Sequence, residues 1–257
     1  MENEITTEWI DIAVNDEDQM SMMDAYLARP AAPGTYPNVL VGFELFGVTA
    51  YVRGVAERLA GLGYNALVPD FYHRLGRHIE LTEDAEGRSR GFELLAGIQR
   101  DGVRRDAQAA ITYLTKEAGG SNRTAMLGLS VGGHIAYYVA TQAPLAALIV
   151  CYPGWLTGTD IPLSQPEPTL TLTSRIAEIG TPVLFLVGDQ DQLLPGEQRD
   201  QIARHLHDTG VHHELVVYPD TPHGFLCSER ATYRPIAAED AWTRMTTLLA
   251  EATHQDE

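Results

Sequence analysis

Two cysteines, Cys151 and Cys227, are all that 257 residues contain. That number provides no disulfide framework and no zinc-ribbon spacing, and it suits a reducing compartment. No stretch approaches the ~18 to 20 apolar residues of a membrane span. The first ten residues, "MENEITTEWI", are acidic and lack the apolar core of a secretion signal. Positive charge is scarce: 18 Lys and Arg stand against 35 Asp and Glu, a formal net charge of −17. Such a balance argues against nucleic acid and anionic membranes as partners, although a local site can differ in sign from the whole. Fixed-period repeats and low-complexity tracts are absent. Gly61 and Gly63 do not complete a G-x-G-x-x-G, so no dinucleotide site is implied. His205, His207, His212 and His213 lack a spacing that gathers three onto one point, so a solvated face is expected there rather than a metal site. A cytoplasmic protein without cofactor or metal is expected, monomeric or homodimeric.

The apolar pattern is ordered. "EITTEWIDIAV" and "QMSMMDAYLARP" read as a hairpin about the turn "NDED". "NVLVGFEL", "YNALVPD", "RTAMLGL", "LAALIVCYP", "TPVLFLVGD" and "HHELVVYPD" read as further strands, most of them near-continuous apolar runs. Helical spacing recurs over 52–62, with Gly63 as the closing residue, and over 101–120, 131–142, 196–210 and 236–253. Residues 71–101 carry no clear period. Residues 154–180, with Pro162, Pro166 and Pro168, read as an insertion or cap. Strands alternating with helices predict an α/β fold, a mostly parallel sheet covered on both faces. Residues 1–257 are expected to form a single domain.

Between one strand and one helix lies "GLSVGG". Gly128-Leu129-Ser130-Val131-Gly132 fits G-x-S-x-G at the junction where a strained turn lifts a serine above the sheet. The helix start beneath it offers free N–H groups and a positive dipole end to a developing oxyanion. The alternative is that Ser130 only caps the helix. A nucleophilic serine needs a base, and the base needs an orienting acid, in the order Ser, acid, His for this architecture. Two acids, Asp189 and Asp191, follow one predicted strand in "GDQDQLLP". His223 follows the last strand in "TPHGF". Cys151 is expected in the core, and Arg53 either at the surface or near the pocket.

These stretches together resemble the dienelactone hydrolase family of α/β-hydrolases, from about residue 5 to the last helix. "FELFGVTAYVRGVAERLAGLGYNALVPDFYHR" is similar to the family's Glu-ended strand, its "FGV" helix and its "PDLY" with a nearby Arg. "GLSVGG", "GDQDQLLP" and "HGF" match its nucleophile, acid and histidine motifs. The resemblance implies an α/β-hydrolase sheet of about eight strands and a triad of Ser130, Asp191 and His223. It selects Asp191, four residues before Pro195, and leaves Asp189 as a solvated turn residue. It implies an oxyanion hole from the Leu45 and Val131 N–H groups and a substrate contact from Arg74; Glu44, Tyr152 and Cys227 are further candidate substrate contacts, with Glu44 alternatively a buried carboxylate bonded to backbone and to an Arg. Three departures stand out. The family's best-known members carry Cys where this chain has Ser130, so Glu44 loses its partner thiol. Cys227 stands where lactone-cleaving members place a second arginine, which halves the expected anion clamp. Residues 154–180 are rich in Pro, Thr and Leu and are a candidate lid. The expected activity is a serine hydrolase of a small ester or lactone. Acyl transfer, lactonisation or isomerisation on the same scaffold is the alternative, and a dormant ligand-binding protein a further one.

Overall fold

Alternation at the N-terminus and continuous apolar runs beyond it become eight strands in the computed structural model, which describes residues 3–17 and 19–253. By contact density the chain divides into two compact units, Met1–Thr124 and Ala125–Glu257.

The first unit opens with β1 (Ile5–Asp16) and β2 (Gln19–Pro30), paired antiparallel from Ile5↔Pro30 to Asp16↔Gln19. The strands run further into the expected "NDED" turn than the sequence suggests. Glu17 bends the chain at φ 55, and Asp18 lies outside the described residues. β3 (Asn38–Gly42) and β4 (Asn65–Pro69) pair parallel, and β2 pairs antiparallel with β4, so the strand order is β1-β2-β4-β3. β3 is shorter than "NVLVGFEL", because the chain turns after Gly42 and a tight Glu44–Gly47 bridge follows.

Helix α1 (Ala50–Gly61) is capped by Thr49, whose side chain accepts from the Val52 N–H, and it turns Val52, Val55, Ala56 and Leu59 inward. Its C-cap is Leu62, with Gly63 next at φ 100. A helix that periodicity does not reveal, α2 (Ala85–Leu95), occupies the unassigned stretch and is capped by Asp84. α3 (Arg100–Lys116) packs against β1, β3 and β4, and α1 against β1 to β4. All five residues of β3 and of β4 are buried, as strands covered on both faces must be.

The second unit holds β5 (Thr124–Leu129, whose first residue closes the first unit), β6 (Leu148–Cys151), β7 (Val183–Gly188) and β8 (His213–Tyr218). They pair parallel in the order β5-β6-β7-β8. α4 (Val131–Ala140) lies on β6, α6 (Gly196–Asp208) on β8 and α7 (Pro235–Thr253) on β7. Two short 3-10 turns, Pro162–Ser164 and Thr169–Leu172, and helix α5 (Thr173–Ile179) build the stretch 154–180. Among the described residues, no helix is long and apolar enough to cross a membrane.

Candidate active site

β5 delivers the chain to Ser130, and α4 leaves from Val131. Ser130 adopts φ 54 and ψ −114, a conformation rare for any residue but glycine. Its N–H donates to the Cys151 carbonyl at 3.0 Å, which ties the turn to the end of β6. The glycines explain themselves by distance. A Cβ on Gly128 would lie 2.1 Å from the Gly132 carbonyl oxygen. Ser130 occupies the N-cap position of α4, yet its side chain makes no capping hydrogen bond. Its Oγ lies 2.9 Å from Nε2 of His223 instead.

His223 sits in the loop after β8, and Asp191 in the loop after β7. Asp191 Oδ2 lies 2.9 Å from His223 Nδ1, and Oδ1 accepts from the Leu193 N–H at 2.9 Å. A carboxylate only accepts, so Nδ1 carries the proton and Nε2 is left to accept from the Ser130 hydroxyl. The Asp191 side chain is fully buried, whereas that of His223 is 25% exposed. Asp189 lies in the turn after β7, as expected. It is only half-exposed, and its Oδ1 accepts from the Thr221 N–H at 3.3 Å, while the Gln190 N–H donates to Thr221 O at 3.0 Å. A Cβ on Gly188 would lie 1.8 Å from that same Thr221 oxygen, so glycine lets the acid loop and the histidine loop touch.

Tyr152 is fully buried at φ 38, with its ring edge-on to the His223 imidazole at 5.0 Å and to Phe225 at 5.4 Å. Cys227 is buried two residues beyond Phe225, and Cys151 is buried in β6 with its sulfur 3.9 Å from that of Met245. Val131 is fully buried at the first position of α4. The second unit therefore brings Ser130, Asp191, His223 and Tyr152 into one constellation.

The first unit places Glu44 and Leu45, both buried, in the turn after β3. Arg74, the expected anion contact, is engaged in ion pairs. Its guanidinium donates to Asp106 at 2.8 Å from two nitrogens and to Asp16 at 3.0 and 2.5 Å. Burial disfavours its charge, but the bonds to Asp106 and Asp16 outweigh that and raise its pKa. His73 Nε2 adds a third contact to the wholly buried Asp106, at 3.1 Å. A signal for this network existed: Asp106 is a lone acid on the apolar stripe of Val103, Ala107 and Ala110. Arg53 donates to the Val48 carbonyl and to Glu80 at 2.6 and 2.8 Å.

His205 and His213 turn Nδ1 to the backbone carbonyls of Gln201 and Val211, and His207 turns its Nδ1 to Asp208. No group of three His, Cys, Asp or Glu able to hold a metal occurs among the described residues.

A mostly parallel sheet, a strained strand-to-helix turn bearing a serine, and an acid and a histidine following in chain order define a hydrolase of the α/β-hydrolase fold. The chain matches the dienelactone hydrolase family over residues 23–253, and it belongs to that family. A relative from Synechocystis sp., provisionally named a carboxymethylenebutenolidase, is 34% identical over 225 residues, covering 86% of this chain and 88% of its own. A Bradyrhizobium protein, provisionally named a 2-oxo-3-(5-oxofuran-2-ylidene)propanoate lactonase, is 31% identical over 239 residues, 93% of this chain and 91% of its own. The crystal structure of a provisionally named dienelactone hydrolase from Klebsiella pneumoniae is similar, with a TM-score of 0.83 at 28% identity. The match covers 97% of this chain and 100% of that one.

Proposed function

We propose that this protein hydrolyses a small ester or lactone through an acyl-enzyme on Ser130. The observation that carries the reading is the relay of two 2.9 Å contacts, Ser130 Oγ to His223 Nε2 and His223 Nδ1 to Asp191 Oδ2. His223 takes the hydroxyl proton as Ser130 attacks the carbonyl carbon, and Asp191 stabilises the imidazolium that forms. The N–H groups of Val131 and Leu45 hold the oxyanion. His223 then returns the proton to the leaving oxygen. Water, deprotonated by the same imidazole, cleaves the acyl-enzyme and frees Ser130. A serine hydroxyl is far less acidic than a thiol, so the general base is indispensable here.

The relatives' names point to lactones, but the charge of the substrate differs from a carboxylate-bearing one. Arg74 is neutralised by Asp16 and Asp106, and Cys227 supplies no charge where a second arginine would stand. A neutral ester or lactone follows. Two buried cysteines that form no disulfide fit a cytoplasmic location. In purified protein, Ser130→Ala is expected to lower kcat on an activated ester and on a neutral lactone by ~10⁴ or more. Unchanged turnover in that variant would overturn the reading.

A further inference from the structure

The turn after β3 is held with more care than a connecting loop needs. Tyr72, fully buried, donates its phenolic O–H to the Leu45 carbonyl at 3.1 Å. The same ring packs on Phe43 with centroids 4.7 Å apart, and Phe71 meets Phe43 at 5.8 Å. Tyr72 is itself held at the backbone, where its N–H donates to Asp70 Oδ1 at 2.9 Å. From another side α2 closes on the same residue, since a Cβ on Gly91 would lie 2.6 Å from Leu45 Cγ and 3.0 Å from its carbonyl oxygen. The Gly47 N–H closes the turn onto the Glu44 carbonyl at 3.1 Å, and the Leu81 N–H holds the Phe46 carbonyl at 2.9 Å. The carbonyls of Glu44, Leu45 and Phe46 thus each have a donor. The Leu45 N–H, in a residue only 8% exposed, has no acceptor among the described residues. A backbone donor without a protein partner in a residue this enclosed is uncommon, and a role as an anion donor is one setting that explains it.

We propose that Tyr72 is a positioning residue that orients Leu45 so that its N–H serves as an oxyanion donor. The inference rests on the acyl-enzyme reading above, and it assigns to a side chain outside the proposed triad the task of fixing one half of the oxyanion site. Burial, with Asp70 adding to it, raises the phenol's pKa, so the O–H remains a donor throughout the working pH range. The phenol acts by geometry alone: fixed dipoles stabilise a developing charge only when they need not reorient.

Tyr72→Phe keeps the ring and removes only the hydroxyl. Loss of a whole oxyanion donor costs ~10² to 10³ in kcat, so a loosened one is expected to cost about tenfold or more, with KM little changed. The discriminating readout is the ratio of kcat/KM for an ester and for its thionoester, whose C=S accepts hydrogen bonds poorly. That ratio is high in the wild type and falls in Tyr72→Phe. Because it does not depend on the fraction of active protein, it remains decisive even if the variant is less stable. A wild-type ratio in Tyr72→Phe would overturn the inference. Ser130→Ala separates the two layers. If it abolishes turnover while Tyr72→Phe behaves as wild type, only the positioning role falls; if it retains turnover, the acyl-enzyme reading itself falls.

Discussion

At Gly128 a methyl carbon would lie 2.1 Å from a backbone oxygen of the next turn, and backbone cannot swing aside as a side chain can. Gly128→Ala is therefore expected to destabilise the fold by about 3 kcal/mol or more, seen as a lowered urea midpoint. A midpoint equal to wild type would contradict the argument. Asp70 makes a different kind of prediction. Burial, only partly offset by the Tyr72 N–H, raises its pKa from 3.8 to about 6. Between pH 4 and pH 6 the folded protein therefore keeps a proton that the unfolded chain has released, and Asp70 makes stability fall as pH rises through that window. Asp70→Asn preserves an acceptor for the Tyr72 N–H and removes the buried charge. Its gain over wild type is expected to be near zero at pH 4 and to grow to as much as ~3 kcal/mol at pH 7, from a shift of about two units at ~1.4 kcal/mol each. Urea titrations at the two pH values read this directly, and a pH-independent difference would refute it.

Among the elements, α4 has two loads. Its N-terminus presents Ser130, and its flank holds the stretch 154–180 through two buried pairs, His134 Nε2 to Thr169 Oγ1 at 2.7 Å and Tyr137 Oη to Thr173 Oγ1 at 2.6 Å. Leu156, Leu163, Leu170 and Ile176 of that stretch are buried, so it is anchored in apolar contacts. Thr169→Val removes one buried hydrogen-bond partner at almost constant volume and is expected to cost about 1–3 kcal/mol. Calorimetry of the purified variant checks this, and an unchanged melting temperature would count against the tie. β3 to β7 were legible because their runs are buried on both faces and nearly all apolar, and β1 because it alternates apolar and polar residues. The contacts among Ser130, His223 and Asp191 were legible as a candidate site because an elbow pattern demands glycines and the expected chain order is Ser, acid, His. α2 was not legible. Its Gly87 and Gly91 interrupt any apolar period, and each permits close packing, against Thr82 and Leu45, that a side chain would forbid. Nor could spacing reveal that Arg74 pairs with Asp16, 58 residues away, since ion pairs across that separation have no period. The contact of Asp189 with Thr221 was hidden for a related reason, since Thr221 lies on another loop.

For the whole molecule, a net charge of −17 on 257 residues means self-repulsion that salt can screen. Exposed ion pairs such as Arg29–Glu8 and Arg90–Glu93 are each worth at most ~1 kcal/mol and weaken with salt. Long-range repulsion is expected to dominate, so the melting temperature should rise between ~10 mM and ~200 mM NaCl, as the screening length shrinks from about 30 Å to below 10 Å. A fall would mean that local pairs outweigh the net charge. The central claim, however, is a covalent one, and mass spectrometry tests it most directly. Protein incubated with an activated phosphonate ester and digested is predicted to bear one adduct, on the Ser130 peptide. That adduct is predicted to be absent from Ser130→Ala and to form far more slowly in His223→Ala. An adduct on another residue, or none on an enzyme that still turns over esters, would contradict the account.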